Sequence, residues 1–191
     1  MKVLIAGAGI GGLTTALMLH ARGIPVQIYE TAAEVREAGV GINILPHAIR
    51  ELETLGLLPA LDVVGLRTRR LTYYTRSGQE VWSELRGTYA GHEVPQFSIH
   101  RGRLQHLLYK AVLDRLGPKA VQTGRRLGGF VQDDKGITAH FANSIDGSKG
   151  ITVRGDVLIC CDGIHSAGRK VFYPNEKSPS WNGVMMWRGA V

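Results

Sequence analysis

Only two cysteines occur among the 191 residues, and they are neighbours, Cys160 and Cys161. Adjacent thiols cannot staple distant parts of a chain, so a disulfide framework is excluded and a reducing cytoplasmic location is expected. Their place in an apolar run points to core packing. A concentrated basic tract is also lacking. Lys and Arg exceed Asp and Glu by 23 to 16, a formal charge of +7, which favours anionic partners. Yet the arginines are dispersed (Arg67, Arg69 and Arg70; Arg101 and Arg103; Arg125 and Arg126; Arg154), with no nucleic-acid motif around them, so no nucleic acid is expected as a partner. His47, His100, His106 and His165 show neither metal-ligand spacing nor a serine partner, so no metal centre and no catalytic acid–base residue is expected. No internal repeat or low-complexity linker divides the chain.

One long uncharged run, Val3 to Leu19, lacks what a membrane span or a secretion signal needs. Gly7, Gly9, Gly11 and Gly12 weaken a helix there, whereas a spanning helix needs about 20 good helix formers. Lys2 alone precedes the run and no small-residue cleavage site ends it, which excludes a secretory signal.

What the run contains is a change of period. KVLIA (2–6) is apolar after its lysine and predicts a buried strand. Apolar residues then recur at Ile10, Leu13, Leu17 and Ala21, the spacing of one helix face, until Gly23 and Pro25 end it. VQIYE (26–30) predicts a second strand, parallel to the first because a helix crosses over between them. Further along, helices are predicted from about 46 to 55 and from 104 to 116. Strands are predicted at LTYYT, EVWSE and QFSIH, a hairpin at RLGGFVQ and GITAHF, one strand at ITVRGDVLICC, and another in the tail, GVMMWRGAV. The fold class expected is α/β.

At the junction of the first strand and helix, Gly7, Gly9 and Gly12 form G-x-G-x-x-G. The three serve a tight turn, close backbone approach to a pyrophosphate, and close helix-to-strand packing. Glu30 follows eighteen residues after Gly12, at the end of the second strand, where a carboxylate accepts hydrogen bonds from ribose hydroxyls and repels a ribose 2′-phosphate. These residues predict a dinucleotide site; they leave NAD and FAD both open.

Three further segments carry a family resemblance. Arg36-x-x-Gly-x-Gly41-Ile42, SIHRGRLQHLL and DVLICCDGIHSAGRK resemble, in this order, segments of the class A FAD-dependent aromatic monooxygenases, the p-hydroxybenzoate hydroxylase-like fold. SGQEVWSELRG, PQFSIHRGRLQ and MMWRGAV are similar to the bacterial phenazine hydroxylases within it, which act on 5-methylphenazine-1-carboxylate. The resemblance implies a Rossmann-like FAD-binding domain over 1–172, with inserted strands at about 69–100, and the start of an antiparallel substrate-domain sheet at 173–191. It implies FAD as cofactor, NADPH or NADH as co-substrate, and a small aromatic substrate hydroxylated with O₂. Carried over residue by residue, Gly7, Gly9 and Gly12 hold the pyrophosphate and Glu30 the ribose. Arg101 and Asp162, with Gly163 beside it, meet the cofactor's central portion. Gly41 and Ile42 lie near the flavin ring, Leu127 meets the adenine, and Arg36 is a further cofactor residue.

On the residues alone, other roles stand beside these. Arg101 reads equally as a helix-terminus pair, Arg36 as a surface arginine between Glu34 and Glu37, and Asp162 as an N-cap for a helix beginning near His165. The family's later G-D segment has no counterpart, so the chain is expected to be an N-terminal half that keeps the ADP part of the FAD site and is inactive alone. The rivals are an NAD-dependent dehydrogenase fragment and a non-catalytic module that binds an adenine dinucleotide.

Overall fold

Val3, Leu4, Ile5 and Ala6 are none of them more than 2% exposed, so the strand they form needs a partner on each edge and cover on each face. The structure, a computed structural model, describes residues 1–37 and 39–187. They fall into two compact units, residues 1–36 with 108–186, and residues 37–107. The first unit opens with β1 (Val3–Ala6), α1 (Ile10–His20) and β2 (Val26–Tyr29). The second holds β3 (Gly41–Ile44), α2 (Pro46–Thr54), α3 (Leu58–Val64), β4 (Gly65–Arg67), β5 (Arg70–Tyr74), β6 (Glu80–Leu85) and β7 (Phe97–His100). After α4 (Arg101–Leu116), within which the division falls, the first unit resumes with β8 (Val121–Gln122), β9 (Arg125–Asp133) and β10 (Gly136–Asn143). It ends with β11 (Ile151–Gly155), β12 (Val157–Cys160) and α5 (Ala167–Phe172).

A wholly parallel sheet in the order β12-β1-β2-β8 forms the centre of the first unit. In register, Leu4 lies between Leu158 and Gln27, and Ile5 between Ile159 and Ile28. The crossover helix α1 buries Leu13, Ala16 and Leu17, the stripe expected from its period. A second, antiparallel sheet in the order β11-β10-β9 supplies Ile137, Ala139 and Phe141, which alternate inward along β10. These three pack with Leu4, Ala6, Tyr29 and Leu127 in one cluster, in which the rings of Tyr29 and Phe141 stack 4.2 Å apart.

In the second unit β7 is the middle strand of an antiparallel sheet in the order β3-β7-β4 and buries Phe97 and Ile99. β5 and β6 form a separate two-stranded ribbon, with Tyr73 facing Trp82 across it. Among the described residues no helix is long and apolar enough to cross a membrane.

Three expectations need correcting. The single strand read at ITVRGDVLICC is two strands, in two sheets: β11 pairs antiparallel with β10, and β12 pairs parallel with β1. The change of sheet falls at Asp156, whose backbone N–H donates to the carbonyl of Lys2 at 2.9 Å and whose carboxylate accepts the Lys2 N–H. The break has a trace in the sequence: Ile151 and Val153 alternate with Thr152 and Arg154 along β11, whereas β12 after Gly155 and Asp156 is an unbroken apolar run. The tail is not a strand over 183–187, where no described residue pairs with it, and 188–191 lie outside the described residues. Finally, α3 was not anticipated: Leu61 is its single buried residue, too little to show a period.

Gly7 and Gly12 permit a close approach of α1 and the end of β12 to the turn after β1. Gly7 has φ +102°, and a Cβ there would strike the carbonyl of Cys161. A Cβ on Gly12 would collide with the carbonyl of Gly7 and reach within 3.3 Å of the Cys161 Cβ. Gly12→Ala must therefore push α1 off β1. Overpacking of this kind costs about 1–3 kcal/mol, which lowers Tm by several degrees in a chain of this size; thermal unfolding of the purified variant checks it.

Candidate functional site

Where β1 ends and α1 begins, the chain leaves a ring of polar backbone. The first N–H groups of any helix have no partner inside it. At α1 the N-cap is Gly9, with no side-chain cap and no acidic residue in the first turn, so the positive end of the helix dipole is uncompensated there. Gly9 differs from Gly7 and Gly12, because a Cβ on it, as on Gly11, would meet nothing within 4 Å. The fold itself does not require a glycine there. The bare backbone faces a cavity of about 620 Å³ in the first unit, which Gly7, Gly9, Glu30, Leu127, Asp162 and Gly163 help to line.

Glu30 is held at the end of β2 from both sides. Its N–H donates to Gln122 at 2.9 Å, and its carbonyl accepts from Arg125 at 2.7 Å. Its side chain turns back to the glycine turn: Oε2 accepts the Ala8 N–H at 2.6 Å and Oε1 accepts the Ala32 N–H at 2.7 Å. A carboxylate has about four acceptor positions, so these two bonds fix its orientation and leave positions for a ligand's hydroxyls.

Asp162 serves the backbone of the next helix. Oδ1 accepts from the Ser166 hydroxyl at 2.6 Å and Oδ2 from the Ala167 N–H at 2.6 Å. Ser166, the N-cap of α5, in turn accepts the Arg169 N–H at 2.9 Å. The N-cap of α5 is thus Ser166 and not Asp162, which instead braces the helix start through Ser166 and Ala167 and also lines the cavity. Arg169 donates to Glu176 and to the carbonyl of Ile164, each at 2.6 Å.

Three cationic or titratable side chains that line the same cavity, Arg126, His165 and Lys170, complete its polar wall. Sequence reasoning gave none of the three a cofactor role, although each had a signal: Arg126 is adjacent to Leu127, and His165 and Lys170 fall within the DVLICCDGIHSAGRK segment. Cys161 lines the cavity as well. Burial, with a smaller contribution from Asp162, pushes its thiol above the ordinary range, while a hydrogen bond with Thr15 opposes that. Cys160 is exposed as a residue, against the core packing expected from its apolar run, yet its sulfur packs against Gly168, and burial of the thiol, then the Asp162 and Cys161 charges, push it up to about 11.

The remaining expected residues lie elsewhere. Gly12 sits behind the turn as a packing contact. Arg36 pairs with Glu34 at 2.9 Å in an exposed ion pair. Gly41, Ile42 and Arg101 belong to the second unit, where Gly41 is in register with His100. There Arg101 donates its N–H to Val40 at 3.0 Å, and its side chain runs 3.2 Å from where a Cβ on Gly39 would stand. The buried Nδ1 of His100 has no hydrogen-bond partner among the described residues.

Residues 1–180 match the family described as FAD binding domain. The chain is 45% identical over 188 residues to a phenazine 1,6-dicarboxylic acid hydroxylase of Lysobacter antibioticus, covering 98% of this chain and 46% of that protein. It is 34% identical to an aurachin C monooxygenase/isomerase of Stigmatella aurantiaca, over 99% of this chain and 47% of that one. Among solved structures, Klebsiella pneumoniae HpxO complexed with FAD and uric acid aligns with a TM-score of 0.72 at 30% identity, over 90% of this chain and 41% of HpxO. The chain thus spans about half the length of the curated relatives it matches.

The folded chain holds the Cys160 proton more tightly than an unfolded chain does. This group's contribution to stability is therefore complete below its ordinary value of 9.0 and is lost as pH rises through about 11, because the unfolded state releases the proton first. Alkylation of the folded chain by iodoacetamide should be slow at neutral pH and accelerate towards that upper value, and Cys160→Ala should reduce the alkaline loss of Tm. Rapid alkylation of Cys160 at neutral pH would contradict this.

Proposed function

The chain belongs to the FAD binding domain family, and from that membership we propose that it is the FAD-binding part of a flavin-dependent monooxygenase that hydroxylates a small aromatic substrate with NADH or NADPH and O₂. The observation that carries the reading is the cavity shared by the uncapped start of α1, the bare backbone of Gly9 and the oriented carboxylate of Glu30. The residues fit the ADP half of the cofactor: a cradle that a Cβ at Gly9 would enter, N–H donors at a helix start, and an acceptor pair for ribose.

FAD, when bound, supplies hydride acceptance and oxygen transfer. The chain's own residues bind and orient. Gly7, Gly9 and the first turn of α1 would hold the pyrophosphate, with Gly12 keeping that helix close. Glu30 would take the ribose hydroxyls with its remaining acceptor positions, and the backbone at Leu127 would meet the adenine. Asp162 would act chiefly by fixing the turn at Gly163 through its hydrogen bonds to Ser166 and Ala167. Arg36, Gly41, Ile42 and Arg101 are proposed cofactor residues on the family pattern. The FAD-binding domain is taken as 1–172, with strands at about 69–100 inserted and 173–191 leading into the substrate domain. Relatives named for phenazine dicarboxylic acid and for urate support an aromatic substrate, and two free thiols suit a cytoplasmic location.

Titration of the purified chain with FAD tests this. One-to-one, saturable binding is expected, with ADP competing and NADP⁺, which carries a 2′-phosphate on its adenosine ribose, competing poorly. Hydrogen bonds to charged groups contribute about 1.5–3 kcal/mol, and each 1.4 kcal/mol is about tenfold in affinity. Gly9→Ala and Glu30→Gln should each weaken FAD about tenfold or more, Gly9→Ala with Tm nearly unchanged. Absence of FAD binding, or wild-type affinity in both variants, would overturn the reading.

A further inference from the structure

The order of the parallel sheet fixes where each part of an adenosine diphosphate would lie in the cavity of the first unit. β1, β2 and β8 stand side by side, and β9 starts against Glu30, whose carbonyl accepts the Arg125 N–H at 2.7 Å. With the pyrophosphate at Gly9 and the ribose at Glu30, the base falls beyond Glu30, on the side away from Gly9. Thr31, Arg126, Leu127, Gly128 and Ala142 line the cavity there.

Most of these residues offer a flat ring little to lie on. The Leu127 side chain is buried in the core cluster, so it presents backbone. Gly128 is the extra residue of a bulge, because Leu127 pairs with Phe141 and Gly129 with His140; it has no side chain, and Thr31 and Ala142 have small ones. Among the described residues lining the cavity, the only ring is the His165 imidazole, which belongs to the turn after β12 and not to β9.

Arg126 is the exception. Alternation along β9 turns it to the side opposite Leu127, in register with Ala142. Its side chain is exposed and, among the described residues, has no ion pair or hydrogen-bond partner. Arg154 on β11, by contrast, is held by Asp133 and Thr138. An unpaired guanidinium is a free planar surface, and such planes stack on aromatic faces, nucleobases included. Lys170 also lines the cavity, but an ammonium has charge and no plane.

We propose that Arg126 is the stacking platform for the purine, its guanidinium lying against the face of the base while the backbone of Leu127 and Gly128 runs along the edge. The proposal rests on the FAD reading and goes beyond it: it assigns recognition of the base to one side chain, which acts through its plane and not through attraction of its charge to the pyrophosphate.

Isothermal titration with ADP of the unaltered chain and of Arg126→Ala, Arg126→Lys and Arg126→Tyr separates plane from charge. Arg126→Ala should weaken ADP about fivefold to tenfold, with Tm unchanged because the side chain is exposed and unpaired. Arg126→Lys, which keeps the charge, should bind as weakly as Arg126→Ala. Arg126→Tyr, which keeps a plane and loses the charge, should recover most of the lost affinity. Full affinity in Arg126→Ala, or a lysine variant that binds ADP better than the tyrosine variant, would overturn the stacking role and leave the FAD reading standing. Absence of ADP binding in the unaltered chain would overturn both.

Discussion

Everything in the first unit follows from how closely three backbone segments meet at the end of β1. Gly7, Gly12 and Cys161 approach so tightly that neither glycine has room for a methyl group. That contact draws α1 against the sheet, brings the end of β12 alongside β1, and points the start of the helix at one cavity. Close packing leaves no slack to take up an added atom, so the architecture of the site and the stability of the sheet are one constraint. Gly9, between Gly7 and Gly12, escapes it, as does Gly11 in the first turn of α1. The freedom of Gly9 from internal contact separates what the fold needs from what a ligand needs.

The electrostatics of the cavity follow the same division. Both acidic side chains that line it are turned towards protein donors: Glu30 to Ala8 and Ala32, Asp162 to Ser166 and Ala167. What remains facing the cavity is the positive end of α1 together with Arg126 and Lys170. A wall of that composition attracts a pyrophosphate, and the formal charge of +7 has the same sense. Family membership and the local chemistry point to the same ligand class by separate routes.

Much of this was legible in the amino acids. The β1–α1–β2 unit announces itself because its residues change period abruptly at glycine, and Glu30 stands where the second strand must end. The clamp of Glu30 on Ala8 was not legible, since it depends on a side chain folding back across twenty-two positions. The break at Asp156 left only a faint trace, a change from the alternation of Ile151 and Val153 with Thr152 and Arg154 to the unbroken apolar run of β12. Asp162 shows a limit of another kind: the sequence left a cap and a site residue both open, and the structure gives the N-cap place to Ser166, with Asp162 hydrogen-bonded to Ser166 and Ala167 at the start of α5 beside the cavity.

The account stands on the ADP moiety seating itself on the turn between β1 and α1, against the carboxylate of Glu30. Amide-resolved NMR of the ¹⁵N-labelled chain during titration with ADP reads that directly. The account predicts that the largest shifts fall on the amides of residues 7–12 and on Ala32, saturating together at one equivalent. If ADP binds while those amides stay unmoved, or if the chain takes up no ADP, the site has been placed wrongly.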